Sequence, residues 1–233
     1  MKLFEATDVS VRYGAVRALE AVAIEIEPGV VHGVIGPNGA GKSTFIDALS
    51  GRRKLTSGKV LYRGDDISTR PVVWRRRNGI SRSFQKTSVF PSMTVREQLD
   101  MVAWRNDEDN LEEIIEVLGL GNILDVVCSE IAYGTQRSVD LAMALIGRPS
   151  VVLLDEPCAG LVAAESIQTL NHIRHLCKIR DVGAIVVDHN VEGIFGTCDV
   201  VTVLNLGQVL TTGDPVSVRK NPDVVRAYLG SAA

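Results

Sequence analysis

The sequence predicts an α/β fold: a largely parallel sheet covered on both faces by helices, with an antiparallel β segment at the start and an inserted α-helical subdomain. Three observations carry this. Short aliphatic, partly β-branched runs alternate with stretches of helical periodicity. A glycine-rich loop, Gly36-Pro37-Asn38-Gly39-Ala40-Gly41-Lys42-Ser43-Thr44, joins one such run to one such stretch. The residues between 84 and 150 are mainly helical in pattern and hold no strong strand candidate.

Two runs of alternating character, 6–13 and 19–26, are bracketed by Gly14 and Gly29 and read as antiparallel strands. The run 30–35 reads as a buried strand, and further strands are expected at 58–62, 79–84, 150–155, 183–188 and 200–204. Helices are expected at 42–50, 95–104, 111–118, 135–146, 163–178 and 191–197, and the tail from 207 reads as a hairpin strand followed by short helices around Pro215 and Pro222. The expected organisation is one domain over 1–233, a helical insertion over 86–148 and a hairpin and helix tail over 207–233.

The 233 residues suffice for a substantial core, and a net charge of -3 supplies no general attraction to nucleic acid. Arg75-Arg76-Arg77 after Trp74 reads as a solvated helix face rather than a polyanion site. No apolar stretch is long enough to span a bilayer, and Lys2, Glu5 and Asp8 interrupt the start, so neither a signal peptide nor a membrane span is expected. Cys128, Cys158, Cys177 and Cys198 make no C-x-x-C pair and read as buried thiols in a reducing cytoplasm.

The loop 36–44 has the G-x-x-x-x-G-K-S pattern in the strand, loop, helix context that grips nucleotide phosphates. Backbone N–H groups turn onto phosphate oxygens, the helix contributes its positive end, Lys42 reaches the β and γ phosphates, and the Ser43 hydroxyl ligates Mg²⁺. A second run, Val151 to Leu154, delivers Asp155 and Glu156 to the end of a buried strand, where ligands of such folds sit. Asp155 then serves Mg²⁺ and Glu156 is the base for an attacking water. His189 ends another β-branched run near the same edge, and Gln85 ends the strand that leads into the insertion.

In this order the elements resemble the ATP-binding subunits of ABC transporters, over essentially the whole chain. The resemblance implies the ABC ATPase fold and ATP with Mg²⁺ as ligands. It casts Tyr13 as the residue that stacks on adenine, with Val16 against the base, Gly36 to Thr44 as the Walker A loop, Gln85 as the Q-loop glutamine, Asp155 and Glu156 as the Walker B pair, and His189 as the switch histidine. Lys42, Gln85, Glu156 and His189 are then catalytic, and Ser43, Gln85 and Asp155 serve the metal. Ile131-Ala132-Tyr133-Gly134-Thr135-Gln136-Arg137 stands where the family's signature opens a helix. Ala132, Tyr133, Gly134 and Thr135 are thereby expected at the γ-phosphate of a second ABC ATPase subunit's nucleotide. Two departures bear on rate: Ala132 stands for the usual Ser, and Val162 for the usual Asp. Loss of the hydroxyl removes a hydrogen bond of about 1 kcal/mol, so slower or asymmetric hydrolysis is expected.

Within the family the chain is similar to the branched-chain amino acid importer ATPases and to those serving urea or short amides. Residues 83–90, the Ala-Tyr-Gly signature and the tail 221–230 carry that likeness, whereas the segment 102–120 is shorter than in the branched-chain type. The implied partners are two transmembrane permease subunits and, through them, an extracytoplasmic solute-binding protein. The implied location is peripheral, on the cytoplasmic face of the inner or plasma membrane. Val89, Phe90, Pro91 and Met93 read either as a groove for a permease helix or as packing of the insertion. The rival function, an ABC-type ATPase acting on DNA or the ribosome, expects a long coiled coil or a second ATPase domain. Only 45 residues separate Gln85 from Ile131, and the chain holds one such domain.

Overall fold

A computed structural model describes residues 2–83, 87–106 and 110–229. The chain opens with β1 (Phe4–Tyr13) and β2 (Val16–Ile26), an antiparallel pair. Phe4, Ala6, Val9 and Val11 all point into the core although the step from Ala6 to Val9 is odd. A register shift there, with Asp8 at a φ of 51°, inserts the extra residue that returns Val9 to the buried face. β4 (Ser57–Tyr62) and the short β5 (Asp65–Asp66) complete a four-stranded sheet in the order β2-β1-β4-β5.

The second sheet contains β3 (Val31–Ile35), β6 (Ile80–Arg82), β7 (Val151–Asp155), β8 (Gly183–Val187), β9 (Val200–Asn205) and β10 (Gln208–Gly213). Their order is β10-β9-β3-β8-β7-β6, parallel throughout except for the β9–β10 hairpin. Both faces are covered, which is why these strands read as continuous apolar runs. Along β7, Val152 and Leu154 enter one core and Val151 and Leu153 the other; along β8, Ala184 and Val186 alternate likewise with Ile185 and Val187.

One core lies between the two sheets around α1 (Lys42–Leu49), whose Phe45, Ile46 and Leu49 are completely buried. The other is built by α3 (Val95–Asn106), α4 (Leu111–Val117), α5 (Tyr133–Leu145), α6 (Ala163–Arg180) and α7 (Val191–Thr197) against the opposite face. Helices α3 to α5 stand between β6 and β7 in the chain, and α8 (Pro215–Arg219) and α9 (Pro222–Leu229) follow β10. All four cysteines are buried and free.

One expectation needs correction, and one open alternative narrows. The arginine run lies on α2 (Val72–Arg77), but Arg75 is 1% exposed and does not face solvent. It donates to the carbonyls of Leu49 at 2.6 Å, Ile67 at 2.7 Å and Arg70 at 3.0 Å, closing the C-terminal end of α1 and the turn before α2. Arg76 is spent similarly on the Ile146 carbonyl at 2.9 Å. In the segment beyond residue 86, Val89 packs against the helical core and Met93 is half-buried, so only Phe90 and Pro91 are exposed as a groove would require.

Candidate functional site

The parallel strands deliver their carboxyl ends to one edge, and the predicted site residues gather there. The loop after β3 turns into α1 through Gly41, whose φ of 102° is forbidding to other residues. A Cβ at that position would also lie 2.6 Å from the Ala18 carbonyl oxygen. α1 starts without a side-chain cap, so its first N–H groups and its dipole face the loop. Lys42 folds back to donate to the carbonyls of Gly36 at 2.7 Å and Pro37 at 3.0 Å. Burial pushes its ammonium below the ordinary lysine pKa, and the charge of Glu156 opposes that.

Next along the edge, β7 ends in Asp155 and Glu156. The Glu156 N–H donates to the Val187 carbonyl at 2.7 Å, and this turn holds Glu156 at a φ of 51° in left-handed backbone. His189, just beyond β8, brings Nε2 to 3.0 Å from Glu156 Oε1. Asp188 fixes both loops, accepting from the Cys158 N–H at 3.0 Å and the Asn190 N–H at 2.8 Å. Nothing in its local sequence distinguished Asp188 from an ordinary strand end.

A cleft of about 380 Å³ unites these parts; it is lined by Val16, Arg17, Ala18, the loop from Asn38 to Thr44, Glu156 and His189. Gly36, Pro37, Asp155 and Tyr13 do not line it. Tyr13 stands on its rim side at the end of β1, 42% exposed, with the Arg53 guanidinium 3.8 Å from its ring centroid. Gln85 lies outside the described residues. A larger cavity of about 760 Å³ lies at the opposite ends of the strands, near Pro28, Ser150 and Val182, and contains no predicted site residue.

The donor set fits a hard cation that arrives with phosphates. Asp155 Oδ2 accepts from Arg82 Nη2 at 2.9 Å, but Oδ1 is buried and has no hydrogen-bond partner among the described residues. Burial pushes the Asp155 carboxyl above its ordinary pKa, and the Arg82 guanidinium pulls it back. Among the described residues no cluster of three or more His, Cys, Asp and Glu side chains could hold a metal alone. One spare carboxylate oxygen and the Ser43 hydroxyl are what Mg²⁺ uses when it keeps waters and phosphate oxygens as its other ligands.

The signature residues lie away from this cleft. Ala132 caps α5 without a side-chain hydrogen bond, and Gly134 and Thr135 line a separate cleft of about 140 Å³ with Ser138, Glu165 and His172. Tyr133 is 47% exposed, and its ring lies over Gly160 in the loop after β7. Gly160 has a φ of 81°, and a Cβ there would stand 2.8 Å from Tyr133 Cε1.

Residues 19–159 match the ABC transporter family. The chain belongs to that family. Residues 208–233 match the branched-chain amino acid ATP-binding cassette transporter family, which assigns this ABC subunit to the branched-chain type. It is 31% identical to the high-affinity branched-chain amino acid transport ATP-binding protein LivG of Escherichia coli K12, over 99% of this chain and 98% of LivG. It is 30% identical to the corresponding protein BraF of Pseudomonas aeruginosa, with the same coverage. Both alignments span 251 positions against 233 residues here, so these relatives carry residues that this chain lacks. Among solved structures, an ATP-binding cassette of an ABC transporter in its ADP conformation is similar with a TM-score of 0.89 and 27% identity, covering 99% of each chain. A nucleotide-free cassette from an ABC transporter gives 0.86 and 26%, covering 98% of this chain and 99% of that one. This ABC subunit is therefore a nucleotide-binding ATPase of a membrane transporter, and none of its described helices is long and apolar enough to cross a membrane.

Proposed function

We propose that this chain hydrolyses Mg-ATP as one of two paired ATPase subunits that drive uptake of branched-chain amino acids, or a chemically related small solute, through two permease subunits. The single observation that carries this reading is the meeting of the phosphate loop, Glu156 and His189 in one cleft. The printed function of LivG and BraF supports the solute class.

In the proposed cycle the adenine stacks on Tyr13 with Val16 beside it, and the N–H groups from Gly36 to Thr44 take the phosphates. Lys42 exchanges the Gly36 and Pro37 carbonyls for phosphate oxygens. Mg²⁺, held through Ser43, Asp155 and Gln85, supplies charge neutralisation of the phosphates when bound. Glu156 orients and deprotonates the attacking water, and His189, already hydrogen-bonded to it, steadies the carboxylate and the γ-phosphate. The uncapped N-terminus of α5, from Ala132 to Thr135, presents its N–H groups to the nucleotide of the second subunit.

Contact with the permease falls to an apolar groove between α2 and α3. Val72, Val73, Met101, Trp104 and Met143 line about 770 Å³ there, with Trp104 82% exposed. Such docking supports a peripheral location on the cytoplasmic face of the membrane. The deciding experiment pairs two variants. Glu156→Gln should trap ATP in a stable pair of subunits without turnover, and Trp104→Asp should abolish permease co-purification while soluble turnover persists. Fast hydrolysis by the first would move the base elsewhere; undiminished permease binding by the second would remove the groove's role.

A further inference from the structure

Arg82 ends β6, three positions before Gln85, and its side chain is 9% exposed. Its guanidinium joins two elements at once. Nη1 donates to Asp47 Oδ1 at 2.6 Å and to Ser50 Oγ at 2.8 Å, on and just beyond α1. Nη2 donates to Asp155 Oδ2 at 2.9 Å, at the end of β7. A planar fork fixes direction as well as charge, so this one side chain sets how far α1 stands from β7 and how the Asp155 carboxylate is turned. The consequence appears at the other oxygen: Oδ1 is buried and without a hydrogen-bond partner among the described residues. The helix held by the fork is the one that starts with Lys42 and Ser43.

We propose that Arg82 is the positioning residue of the metal side of this site. By holding Oδ2 it keeps Oδ1 available, and by holding Asp47 it keeps α1, and so Ser43, in register with Asp155 for a nucleotide-bound Mg²⁺. This rests on the reading that Asp155 serves the metal. Because Arg82 belongs to β6, the same fork makes the setting of Asp155 depend on the position of that strand.

A positioning role and a purely electrostatic one differ in sign. Removing a cation beside two carboxylates favours Mg²⁺ on electrostatic grounds, whereas losing the fork misplaces the ligand. Arg82→Lys keeps the charge and loses the fork; Arg82→Met loses both. The measurement is equilibrium binding of a fluorescent ATP analogue to the full chain across a Mg²⁺ titration and in EDTA, beside Asp155→Asn. Thermal unfolding of each variant is recorded alongside. In Arg82→Lys the half-saturating Mg²⁺ should rise about 10-fold, as supporting residues of metal sites do when altered, while affinity in EDTA is unchanged. A parental Mg²⁺ response in Arg82→Lys, or a tighter one in Arg82→Met, overturns the inference while leaving the role of Asp155 standing. Should Asp155→Asn match the parent in its Mg²⁺ response, the reading of Asp155 fails first and the inference with it. If Arg82→Met does not fold, Arg82→Lys decides alone.

Discussion

Glu156 is held where a glutamate does not prefer to be, and replacing it with glycine should stabilise the protein while abolishing its chemistry. Its φ of 51° is left-handed, and for a residue with a Cβ that conformation costs about 1–2 kcal/mol. Glycine removes the strain but frees the unfolded chain, which returns about 0.4–1 kcal/mol. The right reference is Glu156→Gln, because both variants remove the same negative charge from beside Asp155 and both leave the Val187 carbonyl bond to the residue 156 N–H intact. The lost contact with His189 is a minor term, since His189 is 52% exposed. Glu156→Gly should therefore exceed Glu156→Gln in stability by about 0.5–1 kcal/mol, or roughly 1–4 °C in melting temperature for a chain of this size. Urea unfolding followed by far-UV circular dichroism, with phosphate release measured in parallel, tests both halves. A glycine variant less stable than the glutamine variant would refute the strain argument, and one that still hydrolyses ATP at the parental rate would refute the placement of the base.

Three further outcomes follow from the structure. Arg75→Met strands the carbonyls of Leu49 and Ile67 in the core and frees that of Arg70 at its edge, so unfolding free energy should fall by about 3 kcal/mol in denaturant titrations, with nucleotide binding lost only as the fold is lost. His32 is buried against Thr202 and its pKa is pushed down to about 4, chiefly by desolvation. The unfolded chain takes that proton near pH 6.5 and the folded chain does not, so stability declines as pH falls from about 6.5 to about 4, by about 3 kcal/mol. In His32→Gln this part of the acid dependence should vanish from unfolding curves measured at successive pH values. Ala132→Ser adds a hydroxyl at the cap of α5 and should raise ATP turnover several-fold, by the worth of about one hydrogen bond; an unchanged rate would remove Ala132 as a cause of slow hydrolysis.

The parts of the fold set by local rules were legible in the sequence. The aliphatic runs of β3, β7 and β8 announce strands buried on both faces, and the Lys-Ser pair after the glycines locates the start of α1. The signature helix begins at Tyr133, two residues before its periodicity becomes visible at Thr135. What escaped is tertiary. The arginine triplet is indistinguishable in sequence from a solvated helix face, because the carbonyls that claim Arg75 come from Leu49, Ile67 and Arg70, and only the tertiary approach of the end of α1 to the turn before α2 brings them together. Arg82 escaped for the same reason: its partners Asp47 and Asp155 are 35 and 73 residues distant in the chain. Val89, which follows the polar Thr87 and Ser88, could be read as groove or as packing, and only the fold shows that the helical core reaches it. A charged residue flanked by strand signals and followed by a predicted site residue deserves suspicion as a buried clamp.

The seating of Tyr133 on Gly160 has a consequence for timing. The loop that starts at Glu156 and the helix that starts at Tyr133 bear on each other twice, Tyr133 against Gly160 and Gly134 against Leu161, with no room for a side chain at either glycine. Under the proposed pairing of subunits, the first element works on a subunit's own nucleotide and the second on its neighbour's. On that proposal a bond broken on one side alters the grip offered on the other through this shared contact, and two sites that never touch are linked without a dedicated messenger between them.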